Sequence, residues 1–216
     1  MPIPTHVLSR IAVAGIGCFA VSVAVAGLVT PDYDLRHEAI SALAALDSPH
    51  AWVMILGFVA AAVGLVAAGL ALRRQGPTRS TRIGAWLVVA AGVLIGVAGV
   101  AREDCSDQLA TCKDFGEAVH ASDSYWLHSY ASLLAFVLLI VAFFLLGRTS
   151  RYVGVACLVG LALLVTTPGI VADSYGIVQR VFVAVLFGWP VLAGLLAVQD
   201  RPVRTSGDTP VHFAQR

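Results

Sequence analysis

The sequence predicts an all-α fold: an integral membrane bundle of six transmembrane helices, with a short amphipathic interfacial helix between the first and the second. Three observations predict it. Six apolar runs of 19 to 22 residues fill 11–29, 51–72, 83–101, 126–146, 152–171 and 177–198. Only 12% of the 216 residues are charged and 58% are hydrophobic, whereas a soluble domain carries about 25% charged residues. The charges that remain are sorted by sign onto alternate sides of the runs.

Each run can cross a hydrocarbon core of about 30 Å at 1.5 Å per residue. Inside lipid the backbone must satisfy its own hydrogen bonds, so unbroken apolar blocks of this length are helices rather than barrel strands. The organisation expected is a leader at 1–10, a six-helix domain at 11–198 and a disordered tail at 199–216, polar and rich in Pro, Gly, Ser and Thr. Net charge is +1, so no basic surface for nucleic acid is expected.

Run one carries no charge, and its AVA at 24–26 resembles a signal-peptidase site. Its apolar core is longer than the roughly 7–15 residues of a signal peptide, so an uncleaved first helix is expected. The polar island DYDLRHEAISALAALDSPHAW follows. Asp34 can cap a helix, with Glu38 in its first turn. Asp34, His37, Glu38, Ser41, Ala45 and Ser48 then share one face and Leu35, Ala39, Ala42, Leu43 and Leu46 the other sides, which gives the interfacial helix. Ser48 followed by Pro49 reads as the cap and first position of helix two. Connection two–three, RRQGPTRSTR, is basic with a Gly-Pro turn. Residues 102–125 form a long acidic loop, 147–151 a tight basic turn, and ADSYG a short turn before run six. Pro190 in run six is expected to kink it.

The side holding the leader, connections two–three and four–five and the tail has ten basic and two acidic residues; the other has four basic and eleven acidic. Arg and Lys near span ends stay in the cytoplasm. Both termini are therefore expected there, with the chain in the plasma membrane. Cys105 and Cys112 lie in an outward, oxidising loop, where a small disulfide is expected; metal ligation is the lesser reading. Cys18 and Cys157 read as packing residues, and Trp52, Trp86 and Trp126 as interfacial anchors.

Several polar residues gather on the outward side. His37, Glu38 and Ser41 share a helical face, as nucleophile-and-base pairs can but as solvated faces also do. His120 and His128 lie about 12 Å apart along a helix, too far to share a metal. His128 would need a partner such as His50, His37 or Asp173. No zinc motif is present, so His37, His50, His120 and His128 are only weak metal candidates and no cofactor is expected. Arg180 beside Gln179, in the first turn of a span, must snorkel or pair. Asp173, Asp34 and Glu38 are its candidate partners, and an anion clamp for a phosphate or carboxylate is the alternative.

The segments YDLRHEAISALAALDSPHAWVMILGF, WLHSYASLLAF and GIVQRVFVAVLFGW resemble the first-loop and second-helix, fourth-helix and sixth-helix segments of the bacterial domain of unknown function 998 family. The resemblance implies a multi-pass membrane protein with about this span count and an undefined activity. It also sets Ser41, His128, Gln179 and Arg180 at characteristic polar positions. Where that family often has a second histidine four residues before His128, this chain has Ser124, which weighs against a two-histidine metal site on helix four.

The function expected is binding of a lipid head group or small amphiphile, with the bilayer as partner. The pocket would use His37, Glu38, Ser41, His128, Asp173, Gln179 and Arg180. The alternatives are a metal-assisted hydrolase of outer-leaflet lipid and, with less support, a small-solute transporter. No catalytic residue is assigned.

Overall fold

The computed structural model describes residues 3–105, 122–166 and 172–199. Among them, six helices are long and apolar enough to cross a membrane, and there is no strand. They are α1 (Thr5–Val29), α2 (Ala51–Gln75), α3 (Arg79–Val100), α4 (Asp123–Leu146), α5 (Arg148–Thr166) and α6 (Tyr175–Gln199). A chain of this kind lies in a lipid bilayer. α1 begins inside the expected leader, and residues 106–121, 167–171 and 200–216, which include His120, Cys112, Pro168 and the expected tail, lie outside the described residues. The expected Cys105–Cys112 pairing lies outside them too.

Helices α1 to α4 pack in sequence order, each along its neighbour, and α6 closes the bundle against α2, α5 and α1. Lipid offers no hydrophobic force between helices, so close backbone approach supplies the contact. The α1–α2 crossing shows it: a Cβ on Gly15 would stand 2.5 Å from the Ala60 oxygen and 2.7 Å from Gly64 Cα. Only glycine fits there. Between α4 and α5 the chain reverses at Gly147, whose φ of 138° suits glycine. The Thr78 hydroxyl accepts from Thr81 N to start α3, and Ser122 accepts from Tyr125 N to start α4.

By alternation, the α1–α2, α3–α4 and α5–α6 links share one end, and direct bonds join them there. Leu46 N donates to the Glu103 oxygen at 2.9 Å, and Arg36 Nε to the Asp173 oxygen at 2.7 Å. The opposite end carries seven of the ten arginines among the described residues. Arg73 stacks over Trp86 at 4.8 Å and Arg151 Nε donates to the Phe144 oxygen at 3.1 Å.

The interfacial helix is corrected. Between α1 and α2 the only helical piece is a four-residue 3-10 turn, Ser41–Ala44. The link does not lie flat: Ile40 through Ala45 are buried, while Leu35 and Leu46 of the expected apolar side are exposed. Tertiary donors have taken the backbone acceptors that an α-helix would need. Arg180 Nη1 donates to the Leu35 and Glu38 oxygens at 2.8 and 2.9 Å, and the Tyr33 hydroxyl to the Ala39 oxygen at 2.8 Å. Arg102 takes the Ala44 and Ala45 oxygens at 2.9 and 2.6 Å. Helix two also starts later than Ser48–Pro49 suggests, with His50 at its cap position.

Candidate functional site

The described parts of the three links form a cap over the bundle end, held by Arg36, Arg102 and Arg180. Asp34 starts it. Its side chain accepts from Arg36 N at 2.8 Å and meets His37 Nδ1 at 2.6 Å, while Glu38 Oε1 accepts from Asp34 N at 3.1 Å. This closed turn takes up Asp34, His37 and Glu38, the first three residues of the expected polar face. Arg180 is the centre of the cap. Besides Leu35 and Glu38, its Nη1 reaches the Gly176 oxygen at 2.8 Å, and its Nη2 reaches the Tyr33 hydroxyl. Gly176 makes this approach possible: a Cβ there would meet the Leu35 and Glu38 oxygens at 2.5 Å. Gly176 N also donates to the Arg36 oxygen at 2.9 Å.

Two groups of the cap have shifted acidities. Burial pushes the Tyr33 hydroxyl up to about 12, against the pull of Arg180. The Arg36 N–H and the His37 ring hold the exposed Asp34 carboxyl below its ordinary value. Unfolded Asp titrates near 3.9 and unfolded Tyr near 10, both approximate. A lowered Asp34 contributes stability above about pH 4 and loses it as pH falls through its folded value. A raised Tyr33 contributes below about pH 10 and loses it as pH rises towards about 12. Thermal unfolding scanned from acid to alkaline pH is therefore expected to plateau between these limits, and Tyr33→Phe to flatten the alkaline fall.

Beneath the cap lies a cavity of about 170 Å³. Phe19, Phe58, Phe136 and Phe187, from α1, α2, α4 and α6, make its apolar part. These rings pack on one another, with Phe19 5.8 Å from Phe58 and 5.4 Å from Phe187. Ser41, Glu103, His128, Ser129, Ser132 and Gln179 give it a polar side, with Tyr175 beside them. The main chain reaches in as well: Gln179 Oε1 accepts from Ile40 N at 2.7 Å, which ties the 3-10 turn to α6.

His128 is the most constrained of these residues. It is 5% exposed, and its Nδ1 lies 2.7 Å from the Ala98 oxygen and 2.9 Å from the Ala101 oxygen. Both partners only accept, so Nδ1 carries the proton. His128 thereby caps the end of α3, where carbonyls lack helical partners. Its Nε2 faces Glu103 Oε1 at 3.6 Å. The imidazole is thus set between backbone and carboxylate.

Of the residues singled out from sequence, Ser41, His128 and Gln179 line the cavity; His37, Glu38, Asp173 and Arg180 do not. These four belong to the cap, where Arg180 reaches the carbonyl oxygens of Leu35, Glu38 and Gly176. His50 stands at the start of α2. Among the described residues, no three His, Cys, Asp or Glu side chains gather as a metal would need. Sequence reasoning passed over Glu103, Ser129, Ser132 and Tyr175. The i,i+4 pairs His128–Ser132 and Tyr175–Gln179, each a polar stripe on a spanning helix, were the available signal.

A family model described as "Protein of unknown function (DUF998)" matches residues 13–196. No curated protein and no solved structure matches the chain.

Proposed function

Because the chain belongs to the DUF998 family, whose function is unknown, its activity has to be read from its own cavity, and we propose that it binds a small amphiphile there. One observation carries this reading: the cavity has two chemical sides. Phenylalanine rings from four helices suit a hydrocarbon segment, and the Glu103–His128 pair with three serines and Gln179 suits a polar head. Ligand sites commonly combine an apolar lining with a few converging polar groups. A volume of about 170 Å³ fits a head group and a few methylenes, with the rest of a chain in the lipid.

The Arg-rich end is cytoplasmic in this reading, following the bias of Arg and Lys towards that side. Both termini are then cytoplasmic and the cavity faces out of the plasma membrane.

Ser132→Phe, which fills the cavity from α4, tests the reading. Native mass spectrometry of the wild type released from mild detergent should show a retained amphiphile, and the variant should lose it while unfolding at a similar temperature. Equal retention by both proteins, or none by the wild type, would count against the proposal.

A further inference from the structure

We infer that the groove between α5 and α6 holds the ligand's tail, an alkyl chain in chemical class, which leaves the cavity past Phe182. This course rests on the amphiphile reading above and adds where the chain goes.

The cavity, at about 170 Å³, holds a head group and a few methylenes, so a longer chain has to leave through a wall. Three of the seams beside it are sealed by main chain. On α1–α2 a Cβ on Gly15 would stand 2.5 Å from the Ala60 oxygen, and on α2–α3 one on Gly92 would stand 3.0 Å from the Ala62 oxygen. On α3–α4 the His128 ring is bonded to the Ala98 and Ala101 oxygens. To open any of these, helices would have to part.

The wall between α4 and α6 is made of side chains. Phe136 lines the cavity, and its ring meets that of Phe182 edge-on at 5.3 Å. The Phe182 ring also lies on α5, where a Cβ on Gly160 would come 3.1 Å from Phe182 Cδ2. Phe182 and Gly160 both line a groove of about 330 Å³, together with Ala156, Cys157, Val178 and Val181. One ring thus stands between the two spaces, and a ring can change rotamer without moving a helix.

The groove suits a hydrocarbon chain. Its lining is apolar, with Cys157 counting as a small hydrophobe. From α5 it receives only the small side chains of Ala156 and Cys157 and the bare Gly160, so a chain can lie close to that helix. Bilayer lipid is as apolar as the tail. The groove therefore sets the tail's course and adds little to affinity.

Hexadecanol carrying a photoreactive diazirine, either beside the head or midway along the chain, tests this with the full chain in nanodiscs of zwitterionic lipid. The head-side probe should label cavity residues such as Phe136 and Phe187. The mid-chain probe should label residues 156–160 and 177–185, which bound the groove. Excess unlabelled hexadecanol should remove most of that mid-chain label, and so should Ser132→Phe, while label on other lipid-facing surfaces stays. Groove label that survives either treatment, or mid-chain label found on α1 beside Phe19 instead, overturns the course of the tail and leaves the amphiphile reading standing. If the head-side probe leaves the cavity unlabelled, the amphiphile reading itself fails. Should Ser132→Phe not fold, competition in the wild type decides alone.

Discussion

Replacing Arg180 with alanine should cost about 3 kcal/mol of stability, because several half-buried acceptors lose their donor at once. In a chain of this size that loss lowers the unfolding temperature by roughly 6–12 °C. The oxygens left without this donor are those of Leu35 and Glu38, with the Tyr33 hydroxyl beside them. They belong to the α1–α2 link, distant in sequence from α6, so their release should open the cap rather than loosen one side chain. Arg180→Lys should recover little, since one ammonium cannot reproduce the planar fork. Were Arg180 an anion clamp instead, the alanine variant would keep its unfolding temperature and lose an anionic ligand. Thermal unfolding in one detergent, wild type beside both variants, separates the two roles.

The second large effect should come from His128. Its alanine variant removes the donor to the Ala98 and Ala101 oxygens, and leaving a buried acceptor unpaired costs about 1–3 kcal/mol. It also removes Nε2 from the cavity. His128→Asn separates the two losses. The asparagine amide nitrogen can take the place of Nδ1 and cap α3, but nothing replaces Nε2 opposite Glu103. The asparagine variant should therefore unfold near the wild-type temperature and retain less amphiphile, while alanine fails in both respects. Equal retention by wild type and asparagine variant would confine His128 to its capping role.

The spans were legible in the sequence because lipid imposes one rule on every residue inside it. A run such as 83–101 has to be helical whatever its neighbours are, and α3 covers Arg79–Val100. The sign-sorted connections were legible for a related reason: short turns cannot carry charge through the bilayer, and the three acidic links meet at one end. The Asp34–Ser48 link was not legible. Its helical periodicity is real, but periodicity describes what a segment does when its backbone bonds to itself. Here Arg180, Arg102, Tyr33 and Gln179, all outside the repeat, claim that backbone.

The site was half legible. Ser41, His128 and Gln179 stood out as polar residues in or beside apolar runs. Arg180 stood out equally and went to the cap, since charge in a span marks a need for partners and not their identity. Glu103 was hidden by its surroundings. It opens the acidic loop, where one more carboxylate attracts no notice, and only the fold of α3 against α4 brings it to 3.6 Å from the imidazole. The serines at 129 and 132 carry no signal of their own, because single hydroxyls are common within a span; their position on the cavity side depends on where α6 packs.

All of this turns on the space between Phe136, Phe187 and the Glu103–His128 pair being a place where an amphiphile sits. A map of the protein in nanodiscs with an amphiphile brominated near its head is the most direct measurement. Bromine signal between the Phe136 and Phe187 rings, on the His128 side, is the expected result. Bromine found only along the outer faces of the helices, with the cavity closed or filled by side chains, would contradict it.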